Sequence, residues 1–272
     1  MAERGGLLAV FAHPDDEVLG PGGTMAMYAN HGIHVSLVCA TRGESGEIAP
    51  GVDVSPETLA HVREQELSTA CAILGISEYV LFDYRDSGMA GTTENKDPRS
   101  LVMAPVADVS ALITAEIQRL EPRVVVTWGS EGGYGHPDHV KIHEATLLAF
   151  DQYSARSSGY RPEKLYAMAT PRGLVQRRLA EIARHGAIWP TAAETERRAI
   201  PDEHITAIIE TGPYAELKMQ ARQAHRSQLP PTSPFAVLPA ESWHGLFTHE
   251  YFIRLRPEPD SGRIETDLFA SD

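Results

Sequence analysis

Two widely separated tetrapeptides carry most of the chemistry this chain could do: His13-Pro14-Asp15-Asp16 and His136-Pro137-Asp138-His139. Imidazole nitrogen and carboxylate oxygen together suit a borderline divalent cation. Two histidines with one carboxylate is the set that leaves a catalytic zinc one open coordination position. His13 and Asp16 stand three residues apart across an expected strand-to-helix turn, so both can reach one ion, and His139 falls in the first turn of a second helix. His13, Asp16 and His139 are therefore the expected ligands of one Zn2+ per chain, with Fe2+ the alternative ion and His143, one turn beyond His139, the alternative ligand. Asp15 adjoins a ligand but is held off the ligand geometry by the turn. It is the expected general base, because zinc lowers the pKa of its bound water to about 7. His136 and Tyr134, on the loop Gly132-Gly133-Tyr134-Gly135, are expected donors to an oxyanion or a leaving amine, with Asp138 orienting His136. The competing explanation is that each polar group merely caps a helix. It accounts for any one of them but not for two histidine-carboxylate clusters at once.

The elements that must bring the two tetrapeptides together alternate between short β-like runs and longer amphipathic stretches, the pattern of βαβ units. Strands are predicted at Leu7 to Ala12, Val35 to Ala40, Val80 to Phe82, Val124 to Trp128 and Leu165 to Ala169. Helices are predicted from Asp15 to about Asn30, from Leu59 to Leu74, from Val106 to Leu120 and onward from Pro137. Pro14 forces His13 out of the α region and ends the first strand, while Asp15, Asp16 and Glu17 suit the positive end of the helix that follows. Each tetrapeptide thus follows a strand. In a doubly wound sheet the first and fourth strands lie side by side, and ligands bind in the crevice outside their carboxyl ends. The polar connection from Asp86 to Pro105 is long enough to suggest a substrate loop. Beyond about Gly186 the pattern weakens to a helix over Pro213 to Arg226, a Pro-rich bend at 229–234 and a strand over Tyr251 to Leu255.

The fold class expected is α/β: a Rossmann-like, mostly parallel sheet with helices on both faces, plus a C-terminal α+β extension. Residues 1–186 would form the metal-binding core and residues 187–272 an extension that packs on it and helps shape the substrate pocket.

Composition narrows the function classes. The 272 residues are 42% hydrophobic and 22% charged, ordinary globular values. The formal charge of −13 disfavours nucleic acid and anionic membrane surfaces. Arg172, Arg177, Arg178 and Arg184, with Arg197 and Arg198 further on, read as a solvated helix face. Cys39 and Cys71 lack any metal or redox spacing and read as packing residues. No run reaches the roughly 18 apolar residues of a membrane span, and the N-terminal apolar run meets charges too soon for a signal peptide, so a cytoplasmic location is expected.

The motifs Ala12-His13-Pro14-Asp15-Asp16-Glu17 and Gly133-Tyr134-Gly135-His136-Pro137-Asp138-His139 resemble those of the LmbE-like, or PIG-L-type, zinc-dependent N-deacetylases. The likeness continues through Thr41-Arg42-Gly43-Glu44, Arg63 with Glu66-Leu67, Tyr84 to Met89 and His225-Arg226-Ser227-Gln228. The resemblance implies hydrolysis of an acetamide or related amide on a glucosamine unit. It implies the ligand and base roles already assigned and assistance to the tetrahedral intermediate by His136 and Tyr134. It also implies sugar contacts by Arg63 and Asp86, and places Glu44 and His225 among substrate-binding residues. The stretch around Tyr84 to Met89 is most similar to the mycothiol branch, whose members act on a glucosaminyl-inositol or its thiol conjugates. The implied partner is a small acylated amino sugar, and family members differ in assembly, which leaves a homo-oligomer open.

Two rival readings come from other classes. A non-haem iron(II) oxygenase uses the same two-histidine, one-carboxylate set, but needs no base placed like Asp15. A non-catalytic sugar-binding or nucleotide-binding module would have no use for Asp15 either. Gly20-Pro21-Gly22-Gly23 does not form the G-x-G-x-x-G fingerprint directly after the first strand, where acidic residues stand instead.

Overall fold

A computed structural model describes residues 5–154, 159–186, 192–231, 233, 238–259 and 262–271. Seven strands form one sheet in the order β3-β2-β1-β4-β5-β7-β6. They are β1 (Leu7–Phe11), β2 (Val35–Cys39), β3 (Glu78–Leu81), β4 (Val124–Thr127), β5 (Lys164–Ala169), β6 (Ala207–Glu210) and β7 (His249–Arg256). The first five run parallel, and β7 lies antiparallel to both β5 and β6. As expected, β1 and β4 are neighbours, with Leu7 opposite Val124. The order therefore reverses at the carboxyl ends of β1 and β4, where both histidine-carboxylate segments begin.

The uninterrupted apolar run of β1, Leu-Leu-Ala-Val-Phe, is buried throughout because both of its faces are covered. Successive side chains point to opposite faces. Leu7, Ala9 and Phe11 pack with Met25, Leu67, Leu74 and Ala221, whereas Leu8 and Val10 pack with Val109, Ile113, Ile117 and Ile142. The first layer is supplied by α2 (Gly22–Asn30), α3 (Leu59–Leu74) and α8 (Ala215–Ala224), the second by α4 (Val106–Leu120) and α5 (Pro137–Ser154). Helices thus cover both faces.

The first expected helix is two helices. The short α1 (Asp16–Leu19) ends at Gly20, and α2 begins after Pro21, whose carbonyl accepts the Met25 N–H at 2.8 Å. Proline lacks an N–H to donate to the preceding turn, so it restarts the helix instead of continuing it. The C-terminal region adds β6 and β7 to the same sheet, together with α6 (Arg172–Arg184), α7 (Ala192–Arg198) and α9 (Ala240–Leu246). β6, four residues long, has no counterpart in the sequence reading.

On α6 the arginines divide. Arg172, Arg177 and Arg184 are exposed, but Arg178 turns inward over the Phe247 ring, 5.7 Å from its centroid, and burial pulls its guanidinium down to about 10. The expected solvated face therefore excludes Arg178, because the helix period carries it to the side occupied by α9. Cys39 and Cys71 are buried free thiols. Among the described residues no helix is long and apolar enough to cross a membrane.

Candidate active site

Backbone geometry at the end of β1 sets the first half of the site. Asp15 occupies the left-handed region, φ 106°, at the N-cap of α1, and its carboxylate makes no capping hydrogen bond. Asp16 begins the helix and folds its side chain back under the turn. Its Oδ2 accepts three hydrogen bonds of 3.0 Å, from the N–H groups of Ala12 and His13 and from Trp128 Nε1. Its Oδ1 is buried and receives no hydrogen bond. Burial alone would raise this carboxyl, but His139, His13 and the Trp128 donor hold it well below the usual carboxylate range.

The second half comes from the loop after β4 and the first turn of α5. His139, fully buried, stacks flat on Trp128 with ring centroids 4.0 Å apart, and its Nδ1 lies 3.1 Å from the Gly132 carbonyl. Only an N–H can face a carbonyl oxygen, so Nδ1 carries the proton and Nε2 a lone pair. The same logic applies to His13. Its Nε2 stands 3.3 Å from Asp138 Oδ2 and 3.4 Å from Asp86 Oδ1, which places the proton on Nε2 and a lone pair on Nδ1.

These two lone pairs face each other. His13 Nδ1 and His139 Nε2 are 3.1 Å apart, and His139 Nε2 is 3.3 Å from the bare Asp16 Oδ1. With both imidazoles neutral these atoms repel unless a cation lies among them; without a metal ion, a proton on His13 Nδ1 bridges to His139 Nε2. Ligand atoms around a tetrahedral zinc with bonds of 2.0–2.1 Å stand about 3.3 Å apart. The donor set fits zinc in type, and the His13–His139 and His139–Asp16 separations match its spacing. Burial opposes positive charge on His13, yet Asp86, Asp138 and Asp16 more than offset it and raise this imidazole well above its ordinary value, so the pocket favours one positive charge, carried by a proton on His13 or by a metal ion in its place.

Two other groups of potential ligands, neither containing Asp16, are compact enough to hold an ion, His13-His136-His139 and His13-Asp86-His136-Asp138, but their protons are arranged differently. His136 Nδ1 accepts the Asp138 backbone N–H at 3.2 Å, so its Nε2 is an N–H. With the His13 Nε2–H on the same side, the second group is a hydrogen-bonded network without free nitrogen lone pairs. The same tautomer suits His136 as a donor, 4.0 Å from Asp86 Oδ1 at the cleft wall. Burial, followed by the nearby His13 and His139, pulls His136 down to about 3, so it is neutral near pH 7.

The cleft in front of these groups holds about 450 Å³ and is walled by His13, Asp15, Asp86, Tyr134, His136 and Gln228. Enclosure raises the Asp15 carboxyl above its ordinary value, and Arg63, with Nη2 3.3 Å from Asp15 Oδ2, only partly counters this. A carboxyl raised in this way beside a cation site is poised to take a proton. Tyr134, 40% exposed, sits between Gly133 at φ 65° and Gly135 at φ 90°. A Cβ on Gly133 would lie 2.6 Å from the Trp128 ring, so the tight loop that presents Tyr134 needs glycine there. Tyr134 also borders a second recess of about 280 Å³, with Leu19, Trp128, Met168, Arg178 and Arg198 on its walls.

Several sequence expectations change. The Asp138 carboxylate does not orient His136. It accepts the Ser87 hydroxyl at 2.5 Å and the Ser87 N–H at 2.9 Å, and orients His13 instead; only its backbone N–H meets His136. His143 points to the Trp128 carbonyl, 2.8 Å away, and takes no part in the cluster. Arg63 lines the cleft, but its guanidinium is engaged by the Gly43 carbonyl at 2.7 Å, by the Pro14 carbonyl and by Asp15. Glu44 is not among the lining residues, where Ser45, Gly46 and Glu47 stand instead. His225 is 2% exposed and bonded to Glu17 at 2.6 Å, so it does not face substrate.

Trp128, Ser87 and Glu17 support the site, a role the sequence reading did not assign to them. A tryptophan ending a strand beside the ligand turn, and a serine inside an overlong loop, were the signals available. That loop is ordered by Ser87, whose hydroxyl also accepts the Val102 N–H at 2.9 Å, and by Asn95, whose amide reaches the Ser87 carbonyl at 2.5 Å.

Residues 8–150 match the PIG-L family model, described as GlcNAc-PI de-N-acetylase. A 1D-myo-inositol 2-acetamido-2-deoxy-alpha-D-glucopyranoside deacetylase of Thermobifida fusca is 38% identical, covering 97% of this chain and 98% of its own length. Among solved structures, the N,N'-diacetylchitobiose deacetylase of Pyrococcus horikoshii superposes with a TM-score of 0.60 at 19% identity, covering 94% of this chain and 87% of its own. A Pseudomonas 4-carboxy-2-hydroxymuconate hydratase reaches 0.63 at 17% identity, covering 96% and 99%. The fold alone therefore does not select the reaction, and the site must.

Proposed function

Because this chain belongs to the PIG-L family of de-N-acetylases, we propose that it hydrolyses the acetamide of a small N-acetylglucosaminyl compound, such as an N-acetylglucosaminyl-inositol, in the cytoplasm. The observation that carries the reading is the convergence of His13 Nδ1, His139 Nε2 and Asp16 Oδ1 beside a cleft that also holds a raised carboxyl and a neutral histidine N–H.

A zinc ion held by those three atoms would supply Lewis acidity and a water of lowered pKa. Asp15 accepts the proton of the attacking water and can pass it to the departing amine. The His136 Nε2–H and the Tyr134 hydroxyl donate to the oxygen that gains charge as the carbonyl becomes tetrahedral. Asp138, held by both donors of Ser87, keeps the His13 ring turned with Nδ1 toward His139 and Asp16, where an ion would be held. Arg63 anchors the base turn through two carbonyls and Asp15. Asp86, Ser45 and Gln228 leave polar groups along the cleft for sugar hydroxyls. Amide and water become acetate and amine, with no redox change.

The test is release of free amine and acetate, one to one, from 1D-myo-inositol 2-acetamido-2-deoxy-α-D-glucopyranoside by purified protein. Activity should vanish with a strong chelator and return with zinc. If the zinc-reconstituted protein releases no amine from this or any other N-acetylglucosaminide, the reading fails.

A further inference from the structure

Behind the active-site floor lies a buried pair that the reaction above does not use. Glu17, fully buried, stands in the first turn of α1, and His225, 2% exposed, ends α8. Glu17 Oε2 accepts the Asp15 backbone N–H at 2.9 Å, and Glu17 Oε1 meets His225 Nε2 at 2.6 Å. We propose that Glu17 and His225 are positioning residues that hold Asp15 in its left-handed conformation and so aim the base; this rests on Asp15 being the base.

Capping chemistry makes the case. An aspartate at an N-cap normally spends its carboxylate on the helix N–H groups, while an acidic residue in the first turn reaches back to the N-cap N–H. Here only the second half of that exchange exists. Glu17 reaches back to the Asp15 N–H, but the Asp15 carboxylate caps nothing and faces Arg63 and the cleft instead. The turn has given up its own capping bond to free a carboxylate. With φ at 106° on a residue bearing a Cβ, the conformation needs an outside restraint.

His225 provides it by fixing Glu17, and is itself fixed. Gln228 donates its N–H to the His225 carbonyl at 3.1 Å. Ser227 donates N–H and hydroxyl to Glu66 of α3, each at 2.7 Å, and accepts the Ala49 N–H at 2.8 Å. A buried glutamate-histidine pair is poor value as a stabiliser, since an apolar pair of similar volume serves as well. Its location under the base points to aim.

The experiment uses the full-length, zinc-loaded protein and the inositol acetamide above. His225→Ala should lower kcat about 100-fold, the cost of misplacing a reacting group by an ångström, with zinc content unchanged and KM within about 3-fold. Glu17→Gln keeps an acceptor for the Asp15 N–H and, with His225 neutral and protonated at the unpartnered Nδ1, donates to His225 Nε2, and should stay within about 5-fold of the parent kcat. In an Asp15→Ala background His225→Ala should cost nothing further, because it acts through the base. A full additional loss in that background, or a change in KM alone, overturns the proposal. Crystal structures decide it without turnover: Asp15 should leave the left-handed region in His225→Ala, and an unmoved Asp15 overturns the proposal. A parent protein inactive on the acetamide would refute the deacetylase reading, while the crystal structures would still decide the strut.

Discussion

Trp128→Phe should weaken zinc retention without touching a ligand. Asp16 Oδ2 is held by three donors at 3.0 Å, and Trp128 Nε1 is the only side chain among them. Phenylalanine removes that N–H while keeping an aromatic face for His139, whose ring lies 9° from parallel with the indole. A hydrogen bond to a charged group contributes about 1.5–3 kcal/mol, and its loss leaves a buried carboxylate oxygen short of a donor. If that energy is what keeps Oδ1 turned toward the cation, zinc affinity falls about 10- to 100-fold, at about 1.4 kcal/mol per decade. Competition with a chromophoric chelator measures the affinity, and kcat at saturating zinc should change little. A carboxylate with fewer donors is also more basic. Unchanged or tighter zinc binding would mean that basicity outweighs orientation, and the reasoning would be refuted.

Other substitutions separate the remaining roles. Asp15→Asn should retain zinc and lose about 10²- to 10⁴-fold in kcat, the range for a general base; a variant near full activity would remove the assignment. Tyr134→Phe should lower kcat by about 10-fold with KM little changed, as for a contact made in the transition state, whereas a rise in KM alone would make Tyr134 a binding residue. His136 also links pH to stability. Its folded value of about 3 lies below the ordinary 6.5, so the unfolded chain binds the proton first and stability falls as pH drops below 6.5. Urea titrations of His136→Gln between pH 7 and 5 should show a slope shallower by up to about 1.4 kcal/mol per pH unit; an unchanged slope would contradict a neutral, buried His136.

What was legible in the sequence was what local chemistry decides. Pro14 ends β1, Pro137 opens α5, and the apolar runs of β1 and β4 pair side by side as a doubly wound order requires. Three candidate ligands, His13, Asp16 and His139, could be picked out because they sit beside those local signals, and the fold brings them together. What could not be read depends on partners brought in from afar. Asp138 is two residues from His136, yet its carboxylate turns to His13 and Ser87, because Ser87 arrives on a loop whose path no local pattern encodes. His225, expected among the substrate-binding residues, lies buried because Glu17, far away in sequence, receives it. Arg178 looked solvated until α9 gave its helix an inner side. The break at Gly20-Pro21 was visible, but the acidic start and apolar run around it outweighed the proline.

The placement of β7 bears on how the molecule can be cut or fused. Among the described residues β6 is joined to the sheet through β7 alone, and β5 has β7 as its neighbour on that side. A polypeptide halted before His249 would therefore expose two strand edges at once, one of them beside the recess that Met168 lines. The later stretch is fastened as well: the Leu268 N–H reaches Tyr28 Oη, and Glu265 accepts Lys164 Nζ at 2.6 Å. During synthesis the central sheet must wait for this strand with an open seam. Tags or reporters are best placed beyond the Glu265–Leu268 clasp.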